Sequence, residues 1–309
     1  MDGSRHEIAV CSFCGNAASE VLYDQGETAI VRCTRCGLAY ASPRLREQFM
    51  LDIYRESSYF HDKSQVTDDF LNRRRTLHDV MFEVILNRIG APPPQGRLLD
   101  LGCGAGTFLQ HAQRAGWQVE GWEVSPYAAQ FAREHLGLSV RTGPMDLDQV
   151  AAESFEVVTM FDVIEHVYDP KQTLRNVYRV LKPRGRIVLT TPNFAGVTFR
   201  LFGRRHYGLD TSERGLGHVT FFTRVTLDAF LKSAGFDPTV SWVGEIYLKN
   251  LSNCLRPSIS PRRSATEIHS KTRRLLRPAW WTVALYHTVN WVLAMTRLGD
   301  QITALASKK

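Results

Sequence analysis

Leu98-Leu99-Asp100-Leu101-Gly102-Cys103-Gly104-Ala105-Gly106-Thr107-Phe108-Leu109 decides the fold of this 309-residue chain. An apolar run, a turn with glycine at alternate positions and a following helical start read as strand, tight turn and helix, and the glycines let the backbone pass close to a ligand where a Cβ would collide. In Gly121-Trp122-Glu123-Val124-Ser125, at the end of the next β-rich run, Glu123 stands about twenty residues beyond the turn, where an acid accepts hydrogen bonds from ribose hydroxyls. Turn and acid together predict a nucleoside site. The glycines read GxGxG rather than the GxGxxG of the pyrophosphate fingerprint, and Asp100 stands where an anion would repel phosphates, so a cationic ligand is expected.

Outward from that turn, β-rich runs alternate with helical patterns, as in a doubly wound α/β sheet. Strands are predicted over 97–101, 118–122, 155–161, 186–190 and 236–242. Upstream, apolar residues recur at helical spacing from Asp68 to Ile89, and Ala91-Pro92-Pro93-Pro94-Gln95-Gly96 breaks that helix. No internal repeat is visible. With 44% hydrophobic residues, the chain can bury one main core and a small satellite. The polar stretch from Met1 to Ile8 lacks the apolar run of a signal peptide, so a cytoplasmic protein is expected.

Four of the six cysteines form two CxxCG turns, Cys11-Ser12-Phe13-Cys14-Gly15 and Cys33-Thr34-Arg35-Cys36-Gly37, separated by enough chain for one hairpin. Two residues between thiolates let one tight turn present both sulfurs to a tetrahedral ion, which is the zinc-ribbon pattern. The competing reading, four reduced buried cysteines, leaves the segment without an adequate core. Four thiolates leave no open coordination position, so the zinc is expected to serve folding or recognition.

The stretch from about Arg97 to Phe236 resembles the class I S-adenosylmethionine-dependent methyltransferases, especially the small-molecule and lipid-linked subgroup. The resemblance rests on the glycine turn, the Glu123 segment, Ser154 to Val167 (containing Phe161-Asp162-Val163-Ile164-Glu165-His166), Leu181-Lys182-Pro183-Arg184-Gly185-Arg186, Thr191-Pro192-Asn193, and His218-Val219-Thr220-Phe221-Phe222-Thr223. It implies a Rossmann-like seven-stranded sheet whose last strand begins near Leu298, preceded by a helical insertion. It implies S-adenosyl-L-methionine as cofactor, with Asp100, Gly102, Gly104 and Gly106 around the methionine part, Glu123 on the ribose, Met145 and Asp146 at the adenine edge, and Phe161 and Asp162 near the sulfonium. Tyr54, Tyr59 and Phe60 look like the aromatic segment that closes over the cofactor in such enzymes, although core packing explains isolated aromatics equally well. The expected organisation is a zinc ribbon over 1–42, a helical lead-in over 43–96 and the methyltransferase domain over 97–309, interrupted by an insertion at 248–297.

Methyl transfer to a hydroxyl needs an aligned acceptor and a proton acceptor, and histidine suits the second task. His166, beside Glu165, and His218 are the candidates; the bland reading has His166 bracing the following turn. In some similar quinone-type O-methyltransferases the Glu-His pair holds a divalent ion, which brings Asp162, Glu165 and His166 forward as a second candidate set. The Asn-Pro-Pro-aromatic motif for exocyclic amines is absent, Thr191-Pro192-Asn193 standing in its place, so an oxygen or carbon acceptor is expected. Arg204, Arg205, His206 and Tyr207 belong either to a cover over the acceptor or to a solvated loop.

Net charge is +7 overall, and Lys249 to Arg277 holds eight basic residues against Glu267, so that segment carries all of the excess. The apolar run from Trp280 to Met295 follows it, too short and too polar for a membrane span. Residues 249–297 are therefore expected either to touch an anionic membrane surface, with peripheral attachment at the inner face, or to pack on the core or a homodimer partner. The expected activity is O-methylation of a small-molecule, saccharide or lipid-linked acceptor. The rivals are a zinc-ribbon RNA methyltransferase, which the ribbon's sparse lysines and arginines disfavour, and a non-catalytic scaffold, which the intact glycine turn disfavours.

Overall fold

The computed structural model describes residues 5–56, 77–203, 217–244, 288 and 299–309. Tyr59, Phe60, the Arg204 to Tyr207 segment and, apart from Thr288, the insertion at 248–297 with its basic cluster and tryptophans lie outside the described residues.

Seven strands form the central sheet: β6 (Arg97–Leu101), β7 (Gln118–Glu123), β8 (Ser139–Thr142), β9 (Phe155–Phe161), β10 (Leu181–Pro192), β12 (Phe236–Gly244) and β13 (Gln301–Lys308). Their order is β12-β13-β10-β9-β6-β7-β8. Pairings among β8, β7, β6, β9 and β10 are parallel, whereas β13 runs antiparallel to both its neighbours. This is the seven-stranded α/β sheet that the sequence implied, with the last strand shifted a few residues beyond Leu298. The short β8 was not foreseen, because Ser139-Val140-Arg141-Thr142 buries only Val140 and so shows no period.

Alternation along the strands builds two cores. Leu98, Val157, Val188 and Leu305 face one layer with α2 (Leu77–Ile89), α3 (Thr107–Arg114) and α4 (Pro126–Leu136). Leu99, Val158, Ile187, Leu189 and Ala304 face the other, with α5 (Pro170–Val180) and α7 (Arg224–Ser233), the short α6 (Val197–Phe202) lying between those two helices in the chain. Each strand serves both cores because its side chains alternate, and burial on both faces is what makes its sequence apolar throughout. Helix starts follow local chemistry. Ser125 and Asp169 cap α4 and α5, each followed by proline at the first helical position, and Thr223 with Thr226 makes a capping box for α7.

The N-terminal segment contributes β1 (His6–Glu7), β2 (Ser19–Asp24), β3 (Ala29–Cys33), β4 (Ala39–Ala41) and β5 (Arg44–Leu45), followed by α1 (Glu47–Glu56). A further two-residue strand from the far end of the chain, β11 (Thr220–Phe221), completes a sheet in the order β11-β4-β3-β2, pairing Thr220 with Tyr40 and Phe221 with Ala39. Cys11, Cys33, Leu38 and Tyr40 share one apolar cluster with Leu174, Phe222 and Phe230, and Phe13 lies 4.8 Å from the Phe230 ring. A short segment with so little core of its own thus borrows one from the sheet's helices. Among the described residues, no helix is long and apolar enough to cross a membrane.

Candidate functional site

From β6 the chain moves outward to β7 and β8 and then returns to β9 on β6's other side, so the loops after β6 and β9 diverge. A crevice at the carboxyl ends of the strands follows from this topology. Gly102, Gly104 and Gly106 all adopt positive φ, at 72°, 53° and 83°. A Cβ on Gly102 would stand 2.4 Å from Val163 Cγ2, so the turn lies directly against the loop after β9. The Gly102 and Cys103 amides donate to the Trp122 carbonyl at 2.7 and 3.1 Å, which moors the turn to β7.

Two acids flank this turn, both buried. Asp100 accepts a hydrogen bond from the Thr159 hydroxyl at 2.7 Å, its direct neighbour across β9. Burial, and next the charge of Glu123, push the Asp100 carboxyl up to about 7 against the pull of Thr159. Glu123 accepts from the Gly104 amide at 2.7 Å and from the Ser125 amide at 2.8 Å. Burial raises it too, and those amides oppose the rise. Beyond β8, Met145 packs partly buried on the main core, and Asp146 caps the short turn that follows, accepting from the Asp148 amide and the Gln149 side chain.

At the end of β9, the Phe161 ring packs on Phe108 at 4.7 Å and Phe82 at 5.6 Å. Asp162 takes a left-handed φ of 54°, held because its carboxylate accepts from the Thr190 hydroxyl and the Gln301 amide, both at 2.9 Å. The single helical turn Ile164–His166 comes next. Glu165 is 2% exposed, and its carboxylate oxygens have no well-formed hydrogen bond among the described residues; burial, then the nearby Asp162 charge, hold it well above the usual carboxylate range, with Thr191 close enough to oppose the rise. His166 faces Tyr54 of α1, with Tyr54 Oη 2.9 Å from Nδ1, and desolvation brings its imidazole down to about 4. Its ring lies 4.8 Å from that of His218, which arrives on the loop before β11. The Val219 amide donates to the Glu165 carbonyl at 2.8 Å, and the Ala41 amide donates to the Val219 carbonyl at 3.0 Å.

Glu165, His166 and His218 thus converge, their donor atoms all within 4.8 Å of one another. Asp162, the third member of the acid-histidine set considered from sequence, is bonded toward β10 and β13 and is not in that group. Beside them Glu165, Thr191, Pro192, Phe194, His218 and Phe221 close around a crevice too tight in this structure for a water-sized group. Asn193 of Thr191-Pro192-Asn193 is buried and braces the chain, donating to the Gly299 carbonyl at 2.8 Å and accepting from Ala195. Thr159 was missed as a site partner, and Tyr54, picked out with the aromatic segment expected over the cofactor, was not foreseen beside His166. Thr159 could have been found from the register of two apolar strands, whereas nothing local ties Tyr54 to His166.

The four ribbon cysteines are unbridged, with Cys11 and Cys36 sulfurs 3.4 Å apart and Cys14 and Cys33 sulfurs 3.5 Å apart. All four lie within 4.8 Å of one another. Zinc–sulfur bonds of about 2.3 Å in a tetrahedron put sulfurs roughly 3.8 Å apart, so this cage fits the ion. Amides of Phe13 and Cys14 point at Cys11, and those of Arg35 and Cys36 at Cys33, the outer hydrogen bonds that orient thiolate ligands. Gly15 and Gly37 hold φ of 71° and 75° after each pair, as the sequence required.

Sheet order, glycine turn and acids define an S-adenosylmethionine-dependent methyltransferase of class I. The family model described as a methyltransferase domain matches residues 73–240, over half of the chain, and the chain belongs to that family. More particularly, it is 32% identical over 167 residues to a ubiquinone biosynthesis O-methyltransferase of Xanthomonas axonopodis pv. citri (strain 306), covering 52% of this chain and 69% of that one. Among solved structures, it resembles phosphoethanolamine N-methyltransferase 2 of Haemonchus contortus in complex with S-adenosyl-L-methionine, with a TM-score of 0.55, 16% identity and coverage of 87% of this chain and 62% of the other. Geranyl diphosphate C-methyltransferase of Streptomyces coelicolor A3(2) gives a TM-score of 0.50 at 16% identity, covering 75% and 80%. Those two proteins are named for nitrogen and carbon methylation on one fold, so the fold alone leaves the acceptor atom open.

Proposed function

We propose that this enzyme methylates a hydroxyl oxygen on a small or lipid-linked acceptor, with His166 and His218 beside buried Glu165 as its proton-handling group. The observation that carries the reading is their convergence just after the loop that packs, through Val163, against Gly102 of the glycine turn. The O-methyltransferase name of the 32% identical relative supports oxygen as the acceptor atom.

The cofactor supplies a methyl group on a positively charged sulfur, and the chain's residues have to hold it, shield it and remove a proton. Asp100 and the turn glycines would hold the methionine part, Glu123 the ribose and Met145 with Asp146 the adenine edge, with Phe161 and Asp162 closing the sulfonium end. Asp100, held half-neutral near pH 7 by burial, gains its charge when a cation arrives. A neutral imidazole whose conjugate acid titrates at about 4 is a weak base. A phenolic hydroxyl near pKa 10 lies about six units above it, and an aliphatic alcohol lies several units further. The weak base therefore favours an acidic hydroxyl. Zinc at Cys11, Cys14, Cys33 and Cys36 would be structural, with every position filled by sulfur. Contact of residues 249–297 with an anionic membrane, or between two copies, belongs to this proposal as the means of reaching a lipid-linked acceptor.

Purified protein incubated with methyl-labelled S-adenosylmethionine and separate lipid, polar-metabolite and RNA extracts tests the reading. Label in an alkali-stable ether of a lipid or metabolite, lost in Asp100→Ala and strongly reduced in His166→Ala, is expected. Label confined to RNA overturns it.

A further inference from the structure

Tyr54 sits in α1, ahead of the residues matched by the family model, and nothing in the glycine-turn motifs points to it. Its hydroxyl oxygen nevertheless lies 2.9 Å from His166 Nδ1, and the rings meet edge-on at 6.0 Å. The same nitrogen is 3.4 Å from the Gly217 carbonyl oxygen. Gly217 itself packs against α1, where a Cβ would meet the flexible tip of Met50 and stand 3.3 Å from Tyr54 Oη, and its φ of 65° favours glycine in any case. Tyr54, Gly217 and His166 therefore form one packed group rather than a passing contact.

The chemistry of the two oxygens selects a tautomer. A carbonyl can only accept, so its approach to Nδ1 is attractive only when that nitrogen carries the proton. The tyrosine oxygen can accept from the same N–H. In the opposite arrangement, with the hydroxyl donating to a bare Nδ1, the nitrogen lone pair would face the Gly217 oxygen. A ring that is to accept a proton is neutral beforehand, so there is a single ring proton to place. We propose that Tyr54 is a positioning residue that fixes His166 as the Nδ1–H tautomer and leaves Nε2 as the nitrogen that takes the acceptor's proton. The inference rests on the proposed role of His166 as base and adds which nitrogen acts and what holds it. Tyr54 reaches the ring from the N-terminal side of the chain, so the base is assembled from two segments, and the residues matching the family model supply only one.

The test uses full-length, zinc-loaded protein with Tyr54→Phe, which keeps the ring and removes only the oxygen. Nitrogen-15 spectra of the histidine rings at neutral pH, with His166 assigned by its loss in His166→Ala, report the tautomer directly. The wild-type protein is expected to show the Nδ1–H pattern. Tyr54→Phe is expected to show a mixture of tautomers, with kcat down about tenfold and the acceptor KM within about twofold, since general-base assistance is worth roughly 10²–10⁴ and only part is lost. An Nε2–H pattern in the wild-type protein, or a Tyr54→Phe protein with unchanged spectrum and unchanged kcat, overturns the proposal. Undiminished turnover in His166→Ala would sink the base assignment instead, and the tautomer spectrum then still decides whether Tyr54 orients the ring.

Discussion

Asp100 is a buried acid placed to be useful only when something positive arrives. Its carboxyl is pushed from 3.8 up to about 7, by burial first and by Glu123 second. Because it ionises less readily in the fold than in the unfolded chain, the native state retains a proton that the unfolded state sheds above pH 4. Its contribution to stability accordingly falls as pH rises from about 4 to about 7 and stays low above that, by at most roughly 4 kcal/mol. Cofactor binding should work against this trend, since a cation beside Asp100 favours the charged form. S-adenosylmethionine affinity is expected to rise between pH 6 and pH 8 with proton release, measured by titration calorimetry in buffers of different ionisation enthalpy, and Asp100→Asn should bind weakly without that rise. Equal pH dependence in both proteins would remove Asp100 from the cofactor's surroundings. The glycine turn, Asp100 and Glu123 were legible in the sequence because each answers a local requirement of backbone or charge. Asp162 was legible as a residue but not as a conformation, because its positive φ is enforced by Thr190 and Gln301 from strands far along the chain.

At the scale of elements, the two residues of β11 carry more consequence than their length suggests. They hang His218 on the ribbon's edge, while the preceding Val219 bonds at once to Glu165 and to Ala41. The sequence shows His218 to Thr223 as a motif but carries no sign that its partner is Ala39-Tyr40, since sheet pairing across such a separation leaves no periodic trace in either segment. The long apolar strands and the two cysteine knuckles were readable for the opposite reason, their signals being internal to each element. Just beyond β11, the Thr223 capping box fixes where α7 begins. Thr223→Ala is expected to cost about 1 kcal/mol, seen in urea or thermal melts, and Thr223→Ser to recover most of it. Loss of stability equal in both variants would mean that the methyl group, rather than the cap, carries the effect.

For the whole molecule, the question is whether the ribbon is an appendage or a layer of the enzyme. Its cysteines share a core with Phe222 and Phe230, the Lys171 amine donates to the Phe13 carbonyl at 3.4 Å, and β4 needs β11 to complete its sheet. Binding of zinc by four thiolates contributes apparent free energies of roughly 10–16 kcal/mol in small folded peptides, far more than a segment of this size gains from its own apolar burial. Zinc at these four thiolates would therefore hold β3 and β4 in place, and with them the support of the His218 loop. Chelation, or Cys33→Ser, is expected to lower the melting temperature of the entire described fold in a single calorimetric transition. It should also abolish acceptor turnover at ion concentrations where S-adenosylmethionine still binds, because the glycine turn is moored to β7 and not to the ribbon. Metal analysis before and after chelation ties the effect to the ion. Two separate transitions, with the larger unmoved by chelation and turnover intact, would instead make the ribbon an independent bead, and β11 would then have to hold its position without the strand beside it.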